Sequence, residues 1–204
     1  MRLLVQPEDI RSLSLEAHHL RRIERSLPAL YDYAKRHERP PTRTKERRLL
    51  DQIKGQVGEV GAYLWWGGEL GFQEYCKRRD ILDKNDNAHY GDRGVDITIR
   101  GISIDVKSVQ VSNWSYEHLT LAEHYWLTVY NSDLAKNMVD IYLLAHVEFA
   151  VHSDWKIAWA RAHLIGYAPS RIVACKSHKE EHISRLSPLH LKPVDDLLDY
   201  WSHW

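Results

Sequence analysis

Sulfur is scarce in this chain. Two cysteines, Cys76 and Cys175, stand among 204 residues, too few for a disulfide framework or a four-thiolate metal site. They are expected as free thiols in a reducing compartment. Long apolar runs are also missing. No window reaches the roughly 18 apolar residues that a membrane span needs, and the opening MRLLVQPEDIRSL has no signal-peptide core. These absences predict a soluble, cytoplasmic protein with no membrane partner. Thirteen histidines are present, but HExxH and paired Cys/His spacings are not, so a histidine zinc site is not expected. The sequence also lacks internal repeats, low-complexity segments, a P-loop and helicase motifs.

Net charge is absent too: 28 basic residues balance 28 acidic ones. The total therefore says nothing about a polyanionic partner, but the distribution does. Arg21 to Lys54 holds eleven Lys/Arg against five Asp/Glu, a local excess of six, and a weaker excess runs from Arg171 to Lys192. Such segments serve either as electrostatic footprints for a polyanion or as solvated helix faces. With 44% hydrophobic and 27% charged residues, the chain has ordinary globular chemistry and enough length for one domain with a substantial core.

Hydrophobic spacing gives the coarse organisation. Residues 8–38 read as helical through Leu13, Leu15, Leu20, Ile23, Leu27 and Leu30, with Pro28 kinking or dividing the run. Pro40-Pro41 breaks it, and Thr42 or Thr44 is positioned to cap a second helix from about Lys45 to Trp66. Residues 67–93 read as a turn, a short element and a polar loop. Strands are predicted in VDITIR and ISIDVK, at about Tyr125–Tyr130, at Ile141–Val151 and in KIAWARA. HLIGYA is expected to begin a short helix, and the tail LHLKPVDDLLDYWSHW to end in helical turns. The pattern predicts an α/β (α+β) domain with a central mixed β-sheet flanked by helices. Its expected parts are a helical extension over 1–44, a core over 45–165 and short helices over 166–204.

The stretch GVDITIRGISIDVKSVQ, residues 94–110, carries the chemistry. Closed about Arg100-Gly101, a two-residue hairpin pairs residues whose numbers sum to 201, and Ile97, Ile99, Ile102 and Ile104 then share one face. That register sets Asp96 directly opposite Asp105; a bulged or three-residue turn would shift it. Like charges at such positions, with Cβ atoms about 5 Å apart, repel unless a proton or a cation intervenes. Oxygen ligands suit Mg²⁺ first and Mn²⁺ second, with the backbone carbonyl of Val106 as a third ligand. Lys107 shares the face of Asp105 and is placed to orient a water or neutralise charge on a phosphate. The competing account is a solvent-facing Lys–Asp ion pair.

Upstream, Ile53, Val57, Val60 and Leu64 form a helical apolar stripe with Gln56, Glu59 and Tyr63 along one flank. Gly55, Gly58 and Gly61 each cost about 1 kcal/mol relative to Ala in a helix. They therefore predict a close approach by a strand or a ligand. Glu69 is a second acid, expected to lie past the helix end.

A helix with Glu, followed by a hairpin with Asp on one strand and (D/E)-x-K on the next, resembles the PD-(D/E)xK nuclease superfamily. That group includes many restriction endonucleases, Holliday junction resolvases, and phage and repair nucleases. The matching residues are Glu59 in GQVGEVGAYL, Asp96 in GDRGVDITI, and Asp105 with Lys107 in ISIDVKS, within residues 45–165. Val95 stands where the motif has proline.

The resemblance implies a restriction endonuclease-like αβββαβ core. It also implies Mg²⁺ (or Mn²⁺) held by the acids, with Lys107 assisting the attacking water, and a catalytic set of Glu59, Asp96, Asp105 and Lys107. Gln56 and Gln110 are accessory candidates. The expected function is that of a metal-dependent DNA endonuclease, plausible as a homodimer because cutting both strands takes two sites. The alternatives are a non-catalytic nucleic-acid-binding protein of the same fold and an RNA-directed nuclease. Trp114, Tyr116 and Trp126 either stack on unpaired bases or pack into the core.

Overall fold

Ile141–Val151 is the central strand of the fold, and its burial on both faces from Ile141 to Glu148 explains why it is apolar but for His146 and Glu148. The computed structural model describes residues 5–37, 44–84, 95–135 and 139–198. In chain order these form β1 (Arg11–Ser14), α1 (Ala17–His37), α2 (Lys45–Lys84), β2 (Ile97–Ile99), β3 (Ile102–Gln110), α3 (His118–Leu121), β4 (Leu127–Tyr130), α4 (Asn131–Ala135), β5 (Ile141–Val151), β6 (Ile157–Pro169), α5 (Ser170–Lys176), β7 (His178–Lys179) and β8 (Ile183–Leu186). No helix among the described residues is long and apolar enough to cross a membrane.

Five strands make a mixed sheet in the order β1-β6-β5-β3-β2, antiparallel except for the parallel β3–β5 pair. Side chains alternate along β5. Ile141, Leu143, Ala145 and Val147 join the core beneath α1 and α2. Tyr142 and Leu144 join a second core on the opposite face, with residues of the small β4-β8-β7 sheet and of α3 and α5. The chain is thus a mixed α/β fold with a central sheet flanked by helices.

The hairpin takes the predicted register, with Ile97 against Ile104 and Ile99 against Ile102. Its turn has positive φ at both Arg100 (49°) and Gly101 (84°), the requirement of a tight two-residue hairpin loop. Thr44 caps α2, its Oγ1 accepting from the Arg47 N–H at 3.2 Å. Thr42, Pro40-Pro41, residues 85–94 and the tail 199–204 lie outside the described residues.

Several expectations are corrected. Residues 11–14 form a strand on the sheet edge before α1 begins, so the N-terminal segment is part of the sheet and not only a helical extension. Within it Leu13 faces the helix-side core, while Ser12 and Ser14 are exposed, a period of two hidden inside a run read as helical. Pro28 sits inside one helix and does not divide it.

α2 does not stop at Trp66. Gly68, at φ 54° and ψ −135°, bends it, and a second limb continues to Lys84. Beside the buried Gly71, that limb buries the side chains of Phe72, Tyr75, Arg79 and Leu82, spaced 3, 4 and 3. Arg79 is buried because Asp83 accepts its Nη2 at 2.8 Å, and Arg22 of α1 bonds Asp80 and Asp83 alongside. HLIGYA continues β6 to Pro169 instead of starting a helix, and the C-terminal region contains strands β7 and β8 besides short helical turns.

The glycines of α2 separate by role. A Cβ on Gly58 would meet Ser108 Oγ at 2.0 Å, and one on Gly61 would meet Ala162 Cβ at 2.4 Å, so the sheet is what approaches the helix here. Nothing lies within 4 Å of a Cβ on Gly55, so the predicted close approach does not extend to it. Gly61→Ala is therefore expected to destabilise the protein by about 1–3 kcal/mol through overpacking. Gly55→Ala is expected to stabilise it by up to about 1 kcal/mol through helix propensity. Urea denaturation of both variants checks the opposite signs; equal effects would refute this account of the helix–sheet contact.

Candidate functional site

β2 and β3 bring Asp96 and Asp105 together. Asp96 lies just before β2, where Ile97–Ile104 is the last pair of the ladder. Its N–H donates to the Ile104 carbonyl at 2.8 Å, one residue out of that register, so Asp96 stands beside Asp105 as at a bulge and not squarely opposite it. Its carboxylate turns back to accept the Val106 N–H, Oδ2 at 2.6 Å. The two carboxyl groups are within hydrogen-bonding reach of each other. Val106 turns both its backbone groups toward the β2 side, so its carbonyl faces the same edge as its bonded N–H. Lys107 Nζ lies 2.7 Å from Asp105 Oδ2 and 6.0 Å from the centre of the Tyr142 ring on β5.

Glu59 reaches the site from the first limb of α2. A chain of hydrogen bonds positions it: Tyr75 OH donates to Gln56 Oε1 at 2.6 Å, and Gln56 Nε2 donates to Glu59 Oε1 at 2.8 Å. Gln56, an accessory candidate from the sequence, is thus the residue that holds Glu59. Tyr63, one turn on, donates to the Asp96 carbonyl at 3.0 Å. The second limb contributes Arg78, whose guanidinium donates to the carbonyls of Val95 and Asp96. Gln110 is not brought in; it ends β3, exposed and three positions past Lys107, on the other face of the strand.

The charges within this group shift one another. Burial, then the negative charges of Glu59 and Asp105, push the Asp96 carboxyl well above the usual range, against the opposing Val106 hydrogen bond. Burial also raises Asp105, with Lys107 working in the other direction. Burial works against the Lys107 ammonium, but Asp105 and Asp96 outweigh it and hold the lysine charged. Tyr142 is pushed up to about 12 by burial and by Asp105. Asp133 on α4 adds a further negative charge felt by Asp105, Lys107 and Tyr142.

Asp133 and Arg78 escaped the sequence reading. Asp133 sits in NSDLA, where no spacing rule points at it, and Arg78 lies in a stretch read as a turn, a short element and a polar loop. The glutamate carboxylate does not close to within 4.8 Å of both aspartates: among the described residues only His18, His19 and Glu69 bring three ligand atoms that near one another.

That histidine group, where no histidine metal site was expected from spacing, argues for a latch. His19 Nδ1 accepts the Glu16 N–H at 3.0 Å. Its proton is then on Nε2, which points at Glu69 at 3.4 Å and has no lone pair for an ion.

The surroundings also sort the aromatic and basic candidates. Trp114 stacks on His163, Tyr116 donates to the Val5 carbonyl, and Trp126 donates to the Leu119 carbonyl, so these three pack rather than present open faces. Of the first basic segment, Arg22 is buried in ion pairs with Asp80 and Asp83. α1 packs on α2 and β6, away from the β2–β3 edge. In the second segment Arg171, Lys176 and Lys179 are exposed, and α5 packs against α4, the helix of Asp133.

Because Asp96 and Asp105 are harder to ionise in the folded chain than in the unfolded one, their ionisation opposes folding. The penalty is absent below the unfolded carboxylate value and grows as pH rises through the raised folded values. In chelator, wild-type stability is expected to fall with rising pH across that window, and Asp96→Asn to flatten the fall. Thermal unfolding across the pH range measures this, and identical pH curves for the two proteins would refute it.

Searches of the chain against protein-family models, curated proteins and solved structures find no match.

Proposed function

We propose that this protein is a Mg²⁺-dependent nuclease that hydrolyses phosphodiester bonds, with DNA as its substrate. The observation that carries the reading is the buried carboxyl pair Asp96–Asp105 at the start of the hairpin, with a charged lysine bonded to one member. Asp96, raised by burial and by the charges of Glu59 and Asp105, and Asp105, raised by burial, form a buried oxygen donor set with Lys107 as its near cation. Hard oxygen ligands of this kind suit Mg²⁺ or Mn²⁺. Asp96, Asp105 and the Val106 carbonyl would hold the ion, with Glu59 serving it from the helix side. The cation supplies Lewis acidity and a more acidic water at neutral pH.

The chain's own groups do the rest. Lys107, kept charged by Asp105, orients the attacking water and offsets charge building on the phosphate. Asp105 keeps the ammonium in place. Arg78 and Tyr63 fix the backbone from which Asp96 projects, so the acid keeps its place beside Asp105 without rearrangement. The likeness of these residues to the PD-(D/E)xK pattern agrees with this chemistry. One site per chain nicks one strand, so double-strand cleavage would take two chains.

Purified protein incubated with supercoiled DNA and Mg²⁺ tests the reading. Nicking that EDTA abolishes is expected, with Asp105→Ala and Lys107→Ala each lowering the rate by about 100-fold or more. Lys107→Ala cutting at the wild-type rate would overturn the assigned mechanism, and binding without cleavage of DNA or RNA would favour a non-catalytic role. The exposed lysines beside α4 are expected to meet the phosphate backbone. The double variant Lys176→Ala, Lys179→Ala should then flatten the slope of log K against log salt by about 0.9 per lysine. An unchanged slope in a titration series would remove that surface from the interface.

A further inference from the structure

The same sheet face carries a second polar constellation at its other edge. Ser12 on β1 lies opposite His163 on β6. The Leu15 N–H donates to the Ala160 carbonyl at 3.0 Å, which makes Ser12 and His163 a non-hydrogen-bonded pair, the kind whose side chains lie closest. Ser12 Oγ is 2.8 Å from His163 Nδ1, and His163 Nε2 is 3.0 Å from Glu148 Oε2 on β5. Glu148 Oε1 accepts the Trp114 N–H at 2.8 Å, so both carboxylate oxygens are occupied. The Trp114 ring stacks on His163 at 4.4 Å and 12°, and its Nε1 donates to His146 Nδ1 at 3.2 Å. The imidazole is therefore fixed in plane and in rotation.

These partners set the proton positions. Glu148 is ionised, since the Trp114 N–H and His163 hold its pKa down against the cost of burial. A carboxylate accepts only, so His163 keeps its proton on Nε2 and presents a lone pair at Nδ1. Ser12 is exposed and its hydroxyl donates to that lone pair. Burial holds the imidazole below its ordinary pKa despite Glu148, which leaves it neutral. An open pocket of about 650 Å³ adjoins the group, lined also by Ser14, Asn113 and Arg161. Asn113 takes a positive φ of 53° there. Asp105 pairs with Tyr142, six residues from Glu148 along β5, so the two sites stand roughly 20 Å apart.

We propose that Ser12, His163 and Glu148 form a second, metal-independent catalytic site for acyl transfer, with Ser12 as nucleophile, His163 as base and Glu148 as its positioning residue. The substrate class is a small ester bearing an anionic group that Arg161 can meet. Ser12 Oγ bonds to the acyl carbon as its proton passes to His163 Nδ1. That proton moves to the leaving oxygen as the C–O bond breaks. Water then attacks the acyl-serine with the same base, releasing the acid and restoring the hydroxyl. Arg161 and Asn113 supply N–H donors in the pocket where the oxyanion develops.

The test uses a fluorophosphonate probe on the full chain, with the adduct located by peptide mass spectrometry. Ser12 is expected to label at least about 100-fold faster than exposed Ser14, which faces Arg161 and has no base. EDTA should leave that rate unchanged. Glu148→Gln is the second variant, chosen because it keeps the shape of the site. Its carbonyl must accept the Trp114 N–H, so its NH₂ faces Nε2 and drives the imidazole proton to Nδ1. Labelling of Ser12 should then slow at least about tenfold, and nitrogen-15 imidazole NMR should report the changed tautomer. Hydrolysis of the mono-4-nitrophenyl ester of succinate, a small ester with a free carboxylate, should be lost in Ser12→Ala. Equal labelling of Ser12 and Ser14, a wild-type labelling rate in Glu148→Gln, or wild-type ester turnover in Ser12→Ala would overturn the proposal.

Discussion

Two carboxyl groups meet where the β2–β3 hairpin begins, and the isoleucines on its helix-side face fix the register that brings the two strands, and so the acids, together. Ile97, Ile99 and Ile104 are buried beneath the helices, and a slip of one residue would turn each of them to the wrong side. The apolar gain therefore imposes the electrostatic cost. Everything else near the site acts on that cost: the Val106 N–H and Lys107 lessen it, while Glu59 and Asp133 add to it. A fold that spends stability to keep acids together ties that stability to whatever cation or proton relieves them.

The sheet separates its two faces by task. Beneath α1 and α2 the strands present mostly Ile, Leu, Val and Ala to an apolar core, and the closest approaches are made where Gly58 and Gly61 remove side chains. The other face is mixed. Tyr142 and Leu144 pack in its middle, with Asp105 and Lys107 toward one end and His146, Glu148 and His163 toward the other. The buried histidines are tolerated because each ring nitrogen that the fold covers has a partner, His146 bonding both Trp114 and the Tyr125 carbonyl.

Legibility in the sequence tracks the physics of each signal. The hairpin is readable because period two, a Gly at the turn and matched isoleucines all agree. The Ile53–Leu64 stripe is readable for the same reason with period 3.6, and it carries Gln56, Glu59 and Tyr63 to their places. The second limb of α2 is missed because Gly67-Gly68 looks like a stop and because one of its core positions is Arg79, whose burial depends on Asp83. β1 is missed because four residues are too few to outweigh the leucine-rich helical pattern immediately after them. Asp133 and Arg78 join the site through tertiary folding alone, and no local spacing encodes that.

The bend at Gly68 makes α2 a single lever with two working arms. Glu59 hangs from one, and Arg78 grips the strand backbone from the other. Each residue added to an α-helix rotates the remainder of the helix by about 100°. Within either arm the helix therefore cannot absorb a change in length without turning its working side chain away. Sequence drift in this protein should accordingly leave both arms unchanged in length, with eighteen residues between the glutamate and the arginine.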